Sequence, residues 1–418
     1  MKKTQFAIVI GLFAATSASA LDAFTTLPYA IGSGKPNIDA RLRFESVDQD
    51  NFAKDAEAYT ARIRLGYTTG KWNDLNLQIE LENVTAIGSD RFNSTKNGRT
   101  QFPVVADPSD TEVNQFWIQY QGLPGTAVKL GRQRLIYDNH RFLGNVGWRQ
   151  NEQTYDGVSL TGAWLPGLKV NYAYLTNVDS FRYTVINGVN TPNIDLKGSH
   201  FINVGYAPVK ALTVTGYAYL LDFAANPALT PLNSPRRDTA TFGVRATGAT
   251  SVGEVKLSYT AEYAHQTDYA DAPSTIDASY YFAEGGAQYG SINGKLGYEV
   301  LGGDGRYGFQ TPLATLHAFQ GWADQFLVTP AAGIRDFYAS IGGKVERVAL
   351  TAVWHDFESD DKVGSRYGSE WDFQATRPLG KNFTVGLKAA LFNADKYPTA
   401  GARPVDVNKF FAWIEYKL

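Results

Sequence analysis

The 418-residue sequence contains no cysteine and only one methionine. Without cysteine there is no disulfide framework, iron–sulfur cluster, thiolate zinc site or cysteine nucleophile. Basic and acidic side chains nearly cancel, with 39 Lys and Arg against 41 Asp and Glu, so the basic excess of a nucleic-acid-binding protein is missing. After residue 20 no apolar run approaches the roughly 18 residues that a transmembrane helix needs. We therefore expect no cofactor, no nucleic-acid partner and no helical span in the mature chain.

The N-terminal segment has the features of an export signal. It begins with two lysines, continues through an apolar stretch over residues 6–15 and ends in an A-x-A triplet at Ala20. This pattern predicts a cleaved secretory signal peptide over residues 1–20, because the apolar stretch is too short to remain as a membrane anchor. Residues 21–36 are expected to form a periplasmic lead-in, and residues 37–418 a single domain.

Polar and apolar side chains alternate along much of the remaining sequence. Over residues 38–45 the apolar side chains fall on one face of a strand and the charged ones on the other, and the pattern recurs over residues 59–67, 75–82, 254–263 and 383–391. Abundant glycine and aromatic residues, 40 Gly, 24 Tyr and 24 Phe, also favour strands and turns. Alternation of this kind is expected where one face of a sheet meets lipid or a core and the other meets water.

The connections between the predicted strands distinguish a membrane barrel from a soluble sandwich. Short turns and longer polar stretches alternate strictly along the chain, which is typical of transmembrane barrels with tight periplasmic turns and long external loops. The longer stretches lie at residues 85–111, 136–153, 177–197, 223–238, 267–279, 302–335, 358–368 and 393–406. We predict an all-β protein, an antiparallel transmembrane β-barrel of about 18 strands in the outer membrane of a Gram-negative bacterium, with a lumen that is open or plugged by loops.

Aromatic rings and the C-terminal strand agree with this prediction. Rings expected at headgroup depth near strand ends or on the apolar face are those of Trp72, Trp164, Tyr172, Tyr206, Tyr259, Trp354, Trp371 and Trp413. The last strand alternates to the carboxyl end and resembles the signal read by the barrel insertion machinery, although it ends in Leu418 instead of Phe. Outer-membrane lipid, lipopolysaccharide and the insertion machinery are therefore the expected partners.

Charged side chains on the polar faces are the candidate lumen residues. On the first two strands these include Arg41, Arg43, Arg62 and Arg64, and further along the chain the segment from residue 129 to 149 carries five cations against the single acid Asp138. The five are Lys129, Arg132, Arg134, Arg141 and Arg149. If this segment folds inward it forms a basic constriction that favours anions, because guanidinium groups suit carboxylates and phosphates.

The same segment carries a family resemblance. Residues 130–142 (LGRQRLIYDNHRF), 147–150 (GWRQ) and 155–158 (YDGV), followed by the hairpin at 166–177, resemble the alginate-export family of outer-membrane porins. The resemblance implies an 18-stranded monomeric barrel, and in the family's best-known member an arginine- and lysine-lined pore that secretes alginate. It assigns a pore-lining role to the four arginines of the segment.

Three functions remain open from the sequence. The favoured one is a channel for anionic saccharides or small carboxylates, with export of an acidic polysaccharide such as alginate as its narrower form. The others are a general non-selective porin and a secreted carbohydrate-binding or hydrolytic β-protein. An enzyme is not expected, because the five histidines (His140, His200, His265, His317 and His355) lack metal-ligand spacing and the adjacent Ser199 and His200 would face opposite sides of a strand.

Overall fold

The computed structural model describes residues 27–88, 90–186, 189–224, 234–272, 275–361, 365–395 and 404–418. The predicted signal peptide lies outside these residues. No helix in the described part of the chain is long and apolar enough to cross a membrane.

Eighteen strands make up the structure, as predicted. In chain order they are β1 (Lys35–Gln49), β2 (Ala56–Thr68), β3 (Leu75–Ala86), β4 (Asp110–Tyr120), β5 (Thr126–Gln133), β6 (Thr154–Gly162), β7 (Leu168–Ile186), β8 (Val189–Val209), β9 (Leu212–Leu221), β10 (Thr239–Val252), β11 (Val255–Asp268), β12 (Asp277–Tyr289), β13 (Ile292–Leu301), β14 (Ile334–Val345), β15 (Val348–Glu358), β16 (Arg366–Leu379), β17 (Phe383–Ala394) and β18 (Val407–Lys417).

The sheet closes on itself. Each strand pairs antiparallel with the next, and β18 pairs antiparallel with β1 over a register that runs from Asp39 opposite Lys417 to Gln49 opposite Val407. Closure leaves no edge strand, so every strand has hydrogen-bonding neighbours on both sides. The prediction of a closed antiparallel barrel is confirmed.

The two faces of the wall differ as the alternation predicted. On β1, Leu42 is 52% exposed on the outer face, whereas the neighbouring Arg41 and Arg43 are 6% and 3% exposed on the inner face. Outer-face rings include Trp164, Tyr206, Tyr259 and Trp371, each 42% exposed or more. Trp413 is an exception, because it lies opposite the inward-facing Arg43 and its ring contacts Trp148 inside the barrel at 5.4 Å.

Short turns lie at one end of the barrel and longer connections at the other. In two of the short turns Gly125 and Gly167 adopt positive φ angles of 64° and 78°, and a Cβ at either position would approach a carbonyl oxygen within 2.7 Å, so glycine is required there. The predicted long loop at residues 177–197 is wrong: β7 and β8 run through it as an extended hairpin. Within the hairpin Val178 and Phe181 are 0% and 4% exposed, and Phe181 packs against residues of both inward loops, so its polar residues do not mark a break in the strands.

The chain enters the barrel at the end with the short turns. Residues 27–32 form a short helix, and β1 begins at Lys35, two residues before the expected domain boundary. The backbone N–H of Gly70, in the first short turn, donates to the carbonyl oxygen of Ala30 at 2.8 Å. This contact holds the helix against the periplasmic rim.

A disulfide across the closing seam tests the β1–β18 register. Leu42 lies directly opposite Ile414, and facing positions in an antiparallel pair are close enough for a disulfide. Because the natural chain has no cysteine, the double variant Leu42→Cys, Ile414→Cys has one possible pair of thiols. We expect oxidation to increase the mobility of the heat-denatured chain on a non-reducing gel.

The matched control is Leu42→Cys with Phe410→Cys, also on the outer face. Phe410 lies opposite Ser46, four residues and roughly 13 Å along the strand from the partner of Leu42. Equal cross-linking of both variants would contradict the closed register.

Candidate functional site

Two long connections fold into the barrel and narrow its lumen. The first inward loop (residues 134–153) joins β5 to β6, and the second inward loop (residues 302–333) joins β13 to β14. The loops are hydrogen-bonded to each other, since the N–H of Gly144 donates to the carbonyl of Leu313 at 2.9 Å. Leu143 and Leu313 are fully buried in the same apolar cluster. Apolar residues within these polar connections therefore direct them inward.

Four arginines form a strip on the inner wall that faces the first inward loop. This arginine strip consists of Arg41 and Arg43 on β1 and Arg62 and Arg64 on β2, with Arg41 directly opposite Arg62. All four are 6% exposed or less. Adjacent buried cations repel one another, so the strip requires compensating groups.

Three members of the strip have carboxylate partners: Arg43 pairs with Asp107, Arg62 with Asp39, and Arg64 with Glu82. Arg41 differs. Among the described residues it makes no ion pair; its guanidinium donates to the side-chain oxygen of Gln150 and to the carbonyl oxygen of Trp148, each at 2.9 Å. Arg41 therefore holds the first inward loop through neutral acceptors, and no described carboxylate pairs with it directly.

Arg134 extends this network into the lumen. Its Nε donates to Glu152 at 2.8 Å, and Glu152 also lies 3.7 Å from Arg64. Burial raises the pKa of Glu152, but Arg64 and Arg134 outweigh burial and lower it to about 2. Glu152 is therefore ionised at neutral pH. The side chain of Arg134 stays 33% exposed, so it is accessible from the lumen.

Arg141 and Arg149 connect the first inward loop to other parts of the barrel. Arg141 donates to Glu299 on β13 at 2.7 Å and to Gln320 of the second inward loop at 3.1 Å. Arg149 donates to Glu45 on β1 at 2.9 Å and to Asp324 of the second inward loop at 2.8 Å. Both arginines are buried and tie the two loops together.

A stack of rings and one ammonium group lies where both loops meet β17. The indole of Trp148 stacks on the imidazole of His317 at 4.8 Å with the planes 4° apart. Lys388 places its Nζ 3.9 Å from the ring centroids of both Trp148 and Trp322. Cation–π attraction of this kind is strongest between desolvated partners. We call Trp148, His317, Trp322 and Lys388 the indole–lysine stack.

Asp324 anchors the stack to the wall. It accepts from Lys409 on β18 at 2.7 Å and from His317 Nδ1 at 2.8 Å, in addition to Arg149. Burial alone raises the pKa of Asp324, but these three groups outweigh it and hold the pKa well below its ordinary value. Burial lowers the pKa of His317 far enough to keep the ring neutral. Its Nε2 then accepts from Lys388 at 3.1 Å.

An acidic part of the wall lies on β14 and β16, and only β17 and β18 separate β16 from β1. Glu370 and Asp372 on β16 accept backbone N–H groups of the second inward loop, Ala323 at 2.7 Å and Trp322 at 3.2 Å. His355 on β15 lies 2.9 Å from Asp336 on β14. Acidic and basic side chains therefore occupy neighbouring sectors of the wall, with Lys388 on β17 and Lys409 on β18 between them.

Lys129 faces the lumen, as the sequence predicted. Its ammonium lies 4.1 Å from the ring centroid of Trp117, and within the described part of the chain it makes no ion pair with a carboxylate. It is partly exposed. Lys129 is thus a lumen cation whose charge is not cancelled by a direct partner.

Arg132 does not line the lumen, contrary to the expectation for the basic segment. It lies opposite Phe116 on β4 and Asp156 on β6, and Phe116 is 53% exposed on the outer face. Cross-strand partners share a face, so Arg132 points outward and pairs with Asp156 and Asp179 there. Alternation from the outward-facing Leu130 leads to the same placement.

Sequence reasoning missed most of the residues that hold the loops in place. Trp148 lies within the segment that carries the family resemblance, but His317 and Trp322 have no local signal because their partners are distant in the chain. Ser199 and His200 face opposite sides, as expected: the Ser199 hydroxyl accepts from Asp222 N–H at 3.0 Å, whereas His200 contacts Tyr172 on the outer face.

Comparison with known proteins assigns this chain to a family and shows which solved structures share its fold. A family model described as alginate export matches residues 35–307. The structure of OccAB2 from Acinetobacter baumannii has a TM-score of 0.71 at 16% identity, covering 93% of this chain and 99% of that one. OpdK from Pseudomonas aeruginosa, solved with vanillate, has a TM-score of 0.70 at 13% identity with the same coverage. No curated protein matches the sequence. At these identities the structural likeness shows the fold.

The anchoring role of Asp324 predicts a change in channel behaviour. In Asp324→Asn the buried Lys409 loses its carboxylate, and breaking a buried ion pair on one side costs about 3–5 kcal/mol. We expect the second inward loop to leave the wall more often, seen as larger single-channel conductance and more frequent open events in planar bilayers. The control is Asp304→Asn, whose side chain is 42% exposed at the start of the same loop. Unchanged conductance in Asp324→Asn would contradict the anchor.

Protonation of Asp324 at low pH should also free the second inward loop from the wall. Because the pKa of Asp324 is depressed in the folded protein, its contribution to stability is fully present above the unfolded value of about 3.9. It is lost as pH falls from there through the folded pKa. We expect conductance to stay constant from pH 7 to about pH 4 and to rise below it, with a smaller acid-induced rise in Asp324→Asn. A rise at pH 6 would point to a different titrating group.

Proposed function

The chain belongs to the alginate-export family and is an outer-membrane β-barrel porin; we propose that it passes anionic saccharides or small carboxylates. The observation that carries this proposal is the buried arginine strip, in which Arg41 has no carboxylate partner among the described residues and is held by neutral acceptors. A buried guanidinium without a directly paired carboxylate attracts anions toward a low-dielectric constriction.

The partly exposed cations of the lumen support the same conclusion. Lys129 and Arg134 are the lumen-facing members of the predicted set that are partly exposed, so a carboxylate in the lumen can approach them. The relative OpdK was solved with vanillate, a small aromatic carboxylate. A similar fold therefore admits a solute of the class proposed here.

The size of the solute follows from the inward loops. They are joined to each other and to β1, β13, β17 and β18 through buried contacts. A polymer chain would need both loops to move, whereas a monosaccharide or small acid needs less room. We therefore favour small anions over export of an acidic polysaccharide such as alginate, which remains the narrower form of the proposal.

Export, membrane insertion and oligomeric state are the remaining parts of the proposal. We propose that residues 1–20 are removed during export and that β18 is recognised by the barrel insertion machinery. We further propose that the barrel acts as a monomer in contact with lipopolysaccharide. The closed barrel with a charged lumen leaves no dry core between two sheets, so a secreted sandwich protein is no longer an alternative.

Replacing the accessible lumen cations tests the proposed selectivity. A unit charge about 7 Å from a permeating ion in water is worth about 0.6 kcal/mol, roughly a factor of three in relative permeability. We expect Lys129→Gln and Arg134→Gln each to lower the anion-to-cation permeability ratio by about this factor. The ratio is measured from reversal potentials in planar bilayers under a salt gradient.

Arg132→Gln is the matched control, because it removes a cation from the same segment but from the outer face. We expect its permeability ratio to equal that of the wild type. If the wild-type channel shows no anion preference, the protein is a general porin instead. Block of the current by uronate oligomers is a second readout, since block requires both an open lumen and a site within it.

A further inference from the structure

A small pocket lies at the external mouth of the barrel, apart from the arginine strip. Four parts of the chain line it: the β7–β8 hairpin, Phe223 with residues 235–236 between β9 and β10, the second inward loop, and Gln153 at the end of the first inward loop. Two arginines, Arg182 and Arg236, line it together with apolar side chains that include Phe181, Leu316 and Leu327. The pocket reaches the external surface beside Val328, which is 38% exposed.

Neither arginine has a counter-ion in the part of the chain that the structure describes. Within the described residues, the guanidinium groups of Arg182 and Arg236 make no ion pair and no hydrogen bond to a carboxylate. The undescribed residues closest to them in sequence, 187–188 and 225–233, contain no Asp or Glu. Since no described carboxylate neutralises this pair, a carboxylate from solution can take that place.

The charged groups that line the pocket, Arg182 and Arg236, are both positive and repel each other. Burial and the positive charge of Arg182 lower the pKa of Arg236 to about 10, so both groups remain protonated at neutral pH. The charged group that acts on Arg182 is itself a cation, Arg149 of the first inward loop. Two partly buried cations without a counter-ion are unfavourable, and an anion between them would relieve this cost.

The free volume of the pocket limits what can bind. About 30 Å³ is free at the centre of the pocket, which is room for one or two water molecules or for a carboxylate group. It does not accept a whole sugar ring. The apolar side chains at its edge can contact the rest of a small solute while the charged group enters.

We propose that Arg182 and Arg236 form a binding site for the carboxylate of a small solute at the external mouth. This inference rests on the proposed function, because it supplies an entry site for the anions that the lumen passes. Two guanidinium groups can each donate charge-assisted hydrogen bonds to one carboxylate. The site captures the anion outside the constriction and raises its concentration above the loops.

Binding of glucuronate to the purified protein in lipopolysaccharide-free detergent micelles tests the site. Affinity is measured by calorimetry for the wild type, Arg182→Gln, Arg236→Gln and the control Arg306→Gln, whose arginine is 72% exposed on the second inward loop and paired with Asp304. Loss of one charge-assisted hydrogen-bonding partner should weaken binding about tenfold or more. We expect this in both pocket variants and not in Arg306→Gln.

Two further measurements identify the ligand class and control for folding. Glucose, which lacks the carboxylate, should not bind, and glucuronate should raise the melting temperature of the wild type more than that of Arg236→Gln. Vesicles containing lipopolysaccharide test phosphate groups of the membrane as the alternative source of the anion. If these vesicles bind in a way that depends on Arg236 and glucuronate does not bind, the carboxylate proposal is wrong.

Failure of the mouth site and failure of the proposed function give different experimental results. Reversal potentials of the same variants report selectivity of the lumen, which depends on Lys129 and Arg134. An anion-selective channel whose glucuronate affinity is unchanged in Arg182→Gln and Arg236→Gln would overturn the mouth site alone. A channel without anion preference would overturn the proposed function, whatever binds at the mouth.

Discussion

Closure of the sheet is the constraint on which the rest of this structure depends. In lipid no water is available to satisfy a free backbone N–H or C=O, so a strand can cross only if both of its edges are paired. Pairing of β1 with β18 meets that requirement for the whole wall. Closure also separates an outer apolar face from an enclosed space. The charged side chains at alternate positions of the strands therefore lie inside that space.

The space enclosed by the barrel must be filled or left open, because a barrel of this strand number is too wide to be filled by wall side chains. Here the two inward loops fill much of it. They are held by buried arginines, by backbone hydrogen bonds between the loops and by the indole–lysine stack. Lys388 joins these contacts to β17, so a single ammonium group contacts an indole from each loop and the imidazole of His317.

Charge is distributed unevenly around the constriction. The arginine strip lies on β1 and β2, whereas Glu370 and Asp372 lie on β16 and hold the backbone of the second inward loop. Much of the acidic charge therefore has a structural role in positioning that loop, while Lys129 and Arg134 remain partly exposed to the lumen. This division explains how a chain with a net charge of −2 can still present cations to a solute.

Strand number, turn positions and the orientation of most wall residues were determined by the sequence itself. These properties follow from a two-residue period and from local turn residues such as Gly125 and Gly167, and both can be recognised within about ten residues. They placed Arg41, Arg43, Arg62 and Arg64 inside correctly. The same local reasoning failed at residues 177–197, because side chains of this hairpin such as Phe181 pack against residues of distant loops, and this packing leaves no local pattern. The tertiary structure alone decided that Lys388 lies between two indoles and that Arg182 adjoins Arg236. Each of these depends on partners from distant parts of the chain, and no local pattern records which of them meet when the barrel closes.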